Sequence, residues 1–319
     1  MFDIPASFVG ASTDDLAASQ SGTGAGRYAP SPTGELHVGN LRTALLAWLF
    51  ARSTGRRFLL RIEDLDAARV RPRMADQQLA DLAALGITFD GEPMVQSQRL
   101  AAYHHALLKL ADKTYECFCS RREIAEAASA PHGSVARYPG TCRNLTKAER
   151  IDRKRRRQPA LRLRADGAVQ TVHDLVHGDN TAEVDDVVLL RNDGVPAYNL
   201  AVVVEDGFSG VDQVVRGDDL LPVAATQAFL AELLGYPSPI YAHMPLAVNA
   251  EGARLAKRDG AVTLPELAAV GLEPKTVLGL IAVSLDLASP GEQASPDALL
   301  GRFDPERIPR RPWVVPPGV

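Results

Sequence analysis

The chain has 319 residues, 46% of them hydrophobic and 23% charged, with a formal net charge of −4. That length holds two or three packed units at roughly 150 residues each, and the composition is that of a globular chain, neither disordered nor fibrous. Whole-molecule charge offers nucleic acid nothing, so such a partner would need a local basic patch.

Residues 1–26 contain few large apolar groups and end in Ser-Gly-Thr-Gly-Ala-Gly, which predicts a flexible arm. Asp3, Asp14 and Asp15 stand in the first twenty residues without any basic residue, unlike a secretory leader. No apolar run approaches the roughly 18 residues of a membrane span. A cytoplasmic protein with no membrane partner is expected. From Arg27 a short extended piece enters the turn Pro30-Ser31-Pro32-Thr33-Gly34. The stripe Leu41, Ala44, Leu45, Trp48 and Leu49 predicts a helix stopped by Gly55. Residues 58–62 read as a buried strand, which completes a parallel βαβ unit. Helices near 74–85, closed by Gly86, and after Ser97 fill out the first half of an α/β domain, 27–110.

The stretch 111–190 is expected to be an insertion. It holds Cys117, Cys119 and Cys142, Gly/Asp turns, and eight Lys or Arg between 143 and 157 against Glu149 and Asp152. Taken alone, such a run is a solvated helix face. The second half of that α/β domain, 191–240, carries expected strands at 201–204 and 211–215. A helix follows, with Pro222 near its start and Gly235 after its end. Residues 241–319 hold a loop and expected helices at 264–272 and 275–284. No internal repeat is present.

The chemistry begins at the loop Arg27 to Asn40. A turn that opens a helix presents unpaired N–H groups and a partial positive charge, which suit the phosphates of ATP. His37 can donate to phosphate oxygens, and Gly39 lets a flat ring approach the backbone. A lone His-x-Gly is equally a turn that caps a helix. Ligands of open parallel sheets lie beyond the carboxyl ends of strands, where Glu63 and Arg216 are expected. Glu63 offers an ammonium acceptor, Arg216 and Arg27 offer guanidiniums, and Tyr198 a hydroxyl. That set suits an acidic amino acid. The plainer reading pairs Glu63 with Arg61 or Arg69 at the surface and makes Arg216 structural. Three clustered cysteines point to a metal or to plain thiols. They are one ligand short of a zinc tetrahedron, and on chemistry alone His132 is the fourth.

The full string Pro-Ser-Pro-Thr-Gly-Glu-Leu-His-Val-Gly-Asn resembles the HIGH signature of the class I glutamyl-tRNA synthetases, with Asn40 in place of the final His. Arg254-Leu255-Ala256-Lys257-Arg258 resembles their KMSKS loop. There Arg254 stands for the first Lys, Ala256 lacks the hydroxyl, and Lys257 is kept. Arg61-Ile62-Glu63-Asp64-Leu65-Asp66, the string from His173 to Gly178 and that from Val214 to Leu220 extend the resemblance from Arg27 to near the C-terminus. It implies a class I aminoacyl-tRNA synthetase α/β fold, a Rossmann-like parallel sheet split by a zinc-bearing insertion and followed by a mainly helical stem-contact region. It implies catalytic His37 and Lys257, ATP (with Mg2+) at His37, Gly39, Asn40 and Lys257, and L-glutamate at Arg27, Ser31, Glu63, Tyr198 and Arg216. Cys-x-Cys followed by Tyr-x-x-x-Cys resembles the zinc pattern of the shortened paralogues, which implies Zn2+ on Cys117, Cys119, Tyr138 and Cys142. That pattern, with an expected lack of the long anticodon-binding region, resembles the glutamyl-queuosine tRNA(Asp) synthetase family. Glutamate, activated with ATP, would then go to the queuosine base in the anticodon loop of tRNA(Asp). The alternatives are a truncated glutamyl-tRNA synthetase charging the tRNA 3′ end, a catalytically silent tRNA-binding paralogue, and a nucleotidyltransferase.

Overall fold

A computed structural model describes residues 24–120, 122–124, 137–255 and 262–316. β1 (Ala25–Tyr28), α1 (Val38–Ser53) and β2 (Arg57–Ile62) form the expected βαβ unit, with β1 and β2 parallel. Ala25 and Gly26, assigned to the arm from sequence, are thus the first residues of β1. α1 is buried almost all round, with Leu41, Leu45, Leu46 and Leu49 fully so. Truncating one such leucine typically costs about 2–5 kcal/mol, so this helix anchors the main core. It ends at Thr54, and Gly55 (φ 69) turns the chain in the left-handed region that a glycine enters without strain.

α2 (Met74–Ala84), β3 (Met94–Val95) and α3 (Leu100–Lys109) follow. Next come β4 (Thr114–Cys117), α4 (Lys147–Lys154), β5 (Ala160–Leu163), β6 (Val169–Asp174), β7 (Gly178–Glu183) and β8 (Val188–Leu190). The chain then returns through α5 (Tyr198–Ser209), β9 (Val211–Gly217), α6 (Leu221–Leu234), β10 (Ile240–Met244) and β11 (Ala247–Val248). α7 (Leu264–Ala269), α8 (Pro274–Val283), α9 (Pro296–Leu300) and β12 (Trp313–Val314) complete it.

The main sheet has the order β3-β2-β1-β9-β10-β6-β7, parallel except for the β6–β7 hairpin. Strand order reverses between β1 and β9. The crevice beyond their carboxyl ends is therefore the topological switch point where such sheets bind ligands. Residues 111–190 divide between two sheets: β4, β5 and β8 form a separate antiparallel sheet, while β6 and β7 extend the main one.

Residues 201–204, expected as a strand, lie inside α5. The run Leu-Ala-Val-Val-Val ends in three β-branched valines and is buried throughout, so it lacks the polar gap that marks a helical face. Tertiary burial overrides its strand propensity. Arg216, expected just after a strand, lies within β9, one residue from its end.

Candidate active site

Four neighbouring strands deliver charged or polar side chains to one end of the sheet. Arg27 lies near the end of β1, Glu63 directly follows β2, Arg216 lies on β9, and His243 sits opposite Arg216 on β10. Glu63 does pair with Arg61, at 3.1 Å, but the pair is buried, not on the surface. Beneath both arginines lies Asp206 of α5, 2.6 Å from Arg61 Nη1 and 3.2 Å from Arg27 Nε. Burial alone would raise the pKa of Asp206, yet the guanidiniums of Arg27 and Arg61 outweigh it and hold the carboxyl below its ordinary range. At Glu63 burial wins over Arg61, and the pKa is raised. With both acids ionised, Arg27, Arg61 and Arg216 set three positive charges against two negative ones. Asp174, behind His243, adds a third carboxylate, and it is Arg216, whose bonded partners are all neutral, that is left to face an acidic amino acid.

Arg216 is buried and held on three sides. Its Nε donates to His243 Nε2 at 3.0 Å, Nη1 to Gln227 Oε1 at 2.7 Å, and Nη2 to the Leu220 carbonyl at 3.4 Å. Gln227 in turn donates to Asn199 Oδ1 at 2.9 Å. Tyr198, 42% exposed, stands at the rim and feels the charges of Glu63, Arg216, Arg27 and Arg61. Arg27, Glu63, Tyr198 and Arg216 are therefore brought together, and Ser31 lines the same cavity as Glu63 and Tyr198.

His37 is the N-cap of α1. Its Nδ1 accepts from Gly39 N at 3.1 Å and Asn40 N at 3.3 Å, while Asn40 Oδ1 accepts from His37 N at 3.2 Å. Since Nδ1 accepts, the proton of the neutral ring is on Nε2. The expectation of unpaired N–H groups at this helix start is not met. Val38 N donates to the Val262 carbonyl, and Gly39, Asn40 and Leu41 donate to His37. The helix dipole remains available to an anion; these amides are engaged. Gly39 has a packing reason as well: a Cβ there would lie 2.9 Å from Ala247 Cβ and 3.1 Å from the His37 ring. The loop before His37 is pinned by Gln78, whose Nε2 donates to the Ser31 and Gly34 carbonyls.

Lys257 lies outside the described residues, with Ala256 and Arg258. Of the chain on either side of it, Arg254 bridges Val248 and Thr263 bridges His37. Arg254 also pairs with Asp219 just after β9, at 2.5 Å.

A cavity of about 730 Å³ runs from Ser31, Glu63 and Tyr198 to Cys117 and Cys119. Among the described residues Cys117, Cys119 and Cys142 form a three-thiol cluster with sulfurs within 4.8 Å of one another. Tyr138 Oη lies 3.3 Å from Cys117 Sγ and 3.5 Å from Cys119 Sγ, and Cys119 and Cys142 are 3.6 Å apart. A tetrahedral zinc with Zn–S of ~2.3 Å and Zn–O of ~2.0 Å needs S···S near ~3.8 Å and S···O near ~3.5 Å. The donor set fits. Phe118 N and Arg153 Nη1 each lie 3.5 Å from Cys142 Sγ, and Arg162 stacks 3.8 Å over the Tyr138 ring. His132, the fourth ligand on chemistry alone, lies outside the described residues.

Sequence reasoning missed the buried polar layer under the pocket: Asp206, Arg61 as its partner, His243, Asp174 and Gln227. The one local signal was an acidic pair, Glu205-Asp206, directly after a run of valines.

Residues 25–282 match the family described as tRNA synthetases class I (E and Q), catalytic domain. A glutamyl-Q tRNA(Asp) synthetase of Nocardia farcinica is 58% identical over 92% of this chain and 93% of its own length. One from Cutibacterium acnes is 51% identical over 90% of this chain and 82% of its own. The crystal structure of a glutamate tRNA ligase from Elizabethkingia meningosepticum, in complex with its amino acid, superposes with a TM-score of 0.76 at 26% identity. That superposition covers 91% of this chain and 67% of that one.

Proposed function

The chain belongs to the class I tRNA synthetases of the E and Q type, and on that premise we propose that it activates L-glutamate with ATP and passes it to the queuosine base of tRNA(Asp). The observation that carries the activation step is the pocket at the switch point, where the buried Arg216 is bonded to the neutral His243, Gln227 and Leu220 carbonyl beside Arg27, Glu63 and Tyr198. In this reading Arg216 takes the side-chain carboxylate, Glu63 and Tyr198 the ammonium end, and Arg27 and Ser31 the α-carboxylate. A bidentate guanidinium discriminates geometry as well as charge.

ATP lies with its phosphates over the start of α1, where His37 Nε2–H donates to them and Gly39 and Asn40 contact the nucleotide. Lys257 supplies the opposing cation, and Mg2+ arrives with the triphosphate. The α-carboxylate attacks the α-phosphorus in line, giving glutamyl-adenylate and pyrophosphate. No protein nucleophile takes part, so positioning and charge stabilisation carry the rate. A queuosine ring hydroxyl then attacks the adenylate carbonyl and releases AMP.

The cavity between the pocket and the cysteine cluster supports a single unstacked base as acceptor, since it opens beside Tyr198 and is walled by the metal lobe. Cys117, Cys119, Tyr138 and Cys142 would hold zinc, which supplies folding energy to that lobe. The names of relatives matching over nine-tenths of the chain favour the queuosine acceptor over the 3′ end. Activation is tested by ATP–pyrophosphate exchange. Exchange with glutamate but not with aspartate or glutamine is expected; exchange without any amino acid would contradict it.

A further inference from the structure

We infer that His243, with Asp174 behind it, is a positioning residue that sets the orientation of Arg216 toward the amino acid's side-chain carboxylate. The inference rests on the reading of the pocket given above. A guanidinium has five N–H donors. His243, Gln227 and the Leu220 carbonyl engage one on each nitrogen of Arg216. That leaves one N–H on each Nη for a bidentate carboxylate, so whatever fixes the plane of the guanidinium also fixes the fork.

His243 can hold that plane only as a neutral ring with its proton on Nδ1, because Nε2 must accept from Arg216. Asp174 enforces this tautomer. Both residues are fully buried, and Asp174 Oδ2 lies 2.6 Å from His243 Nδ1 and 3.1 Å from its backbone N. Asp174 is fixed in turn by the backbone N–H groups of Val176 and His177, both at 2.9 Å on Oδ1. The Tyr241 ring stacks on His243 at 5.5 Å and 15°, and Arg216 lies 5.3 Å over the same tyrosine. Burial and the neighbouring Arg216 charge both disfavour an imidazolium, and the pKa of His243 is lowered. The relay therefore runs Asp174–His243–Arg216 from the far side of β10 into the pocket, with no contact to substrate of its own.

Gln places its Oε1 where Nε2 stands, whereas Asn reaches only the Nδ1 position. In glutamate-dependent ATP–pyrophosphate exchange, His243→Asn should raise KM for glutamate roughly tenfold or more, with kcat and KM for ATP little changed. His243→Gln should remain near the wild-type value. His243→Met, which keeps the volume but not the acceptor, should behave as the asparagine does and covers the case in which His243→Asn fails to fold. Wild-type glutamate KM in both Asn and Met variants, or a Gln variant as impaired as they are, would overturn the inference. A wild-type enzyme that shows no glutamate-dependent exchange would instead overturn the reading of the pocket.

Discussion

Asp206 neutralises two buried guanidiniums at once, and removing its charge should be more damaging than removing either arginine's hydrogen bond. Asp206→Asn leaves Glu63 to face both Arg27 and Arg61, and stripping one partner from a buried pair typically costs about 3–5 kcal/mol. Urea unfolding should report a loss of that size, and a midpoint unchanged from wild type would contradict the role. Gly39→Ala is expected to cost about 1–3 kcal/mol through the clash with Ala247 and the His37 ring, read in the same way. Asp174 makes a pH-dependent contribution. Burial alone would raise its pKa, but four N–H donors, two of them on His243, hold it down to about 2 from an ordinary 3.8. A depressed acid stabilises the fold above its unfolded pKa and loses that contribution as pH falls through the folded one. Roughly 2 kcal/mol should therefore vanish between about pH 4 and pH 2. Asp174→Asn should flatten that stretch of the stability profile, and an unchanged slope would count against it.

The basic run 143–157, with α4 inside it, has two sides. Arg143, Arg153, Lys154 and Arg157 are turned toward the cysteine cluster and its sheet, bonded to Asp186, Cys142, Glu116 and the Phe118 carbonyl. Lys147, Arg150, Arg155 and Arg156 lie exposed. Arg155→Glu with Arg156→Glu should weaken tRNA binding and lower its salt slope by roughly 0.7–0.9 for each phosphate no longer neutralised, leaving tRNA-free exchange intact. An unaltered salt slope would return the basic run to a merely solvated face. Cys142→Ser should drop metal content well below one zinc per chain by elemental analysis; undiminished stoichiometry would exclude the proposed ligand set. Much of the element order was legible because Gly55, Gly86 and Gly235 stop helices where the periodic pattern ends. The error at 201–204 arose where burial on every side erased the period. The twelve residues Tyr198–Ser209, closed by the left-handed cap Gly210, are a helix's length and the better guide.

At the scale of the whole molecule, the fold gathers segments that sequence can name but not place. Arg27, Glu63 and Arg216 sit at the carboxyl ends of β1, β2 and β9, and the strand order makes that edge a crevice. What stayed hidden is what supports them: Asp206, Asp174, His243 and Gln227 act through partners 11 to 179 positions away, and no local pattern encodes such pairs. The flanks of Lys257 illustrate the same point, since Thr263 pairs with His37 across more than two hundred residues. Among the described residues no helix is long and apolar enough to cross a membrane. The acceptor distinguishes transfer to the anticodon loop from transfer to the 3′ end. Queuosine-containing tRNA(Asp), loaded with labelled glutamate by this enzyme and then cut by a base-specific nuclease, should carry its label on the anticodon-loop fragment. Label on the 3′-terminal adenosine would contradict the account.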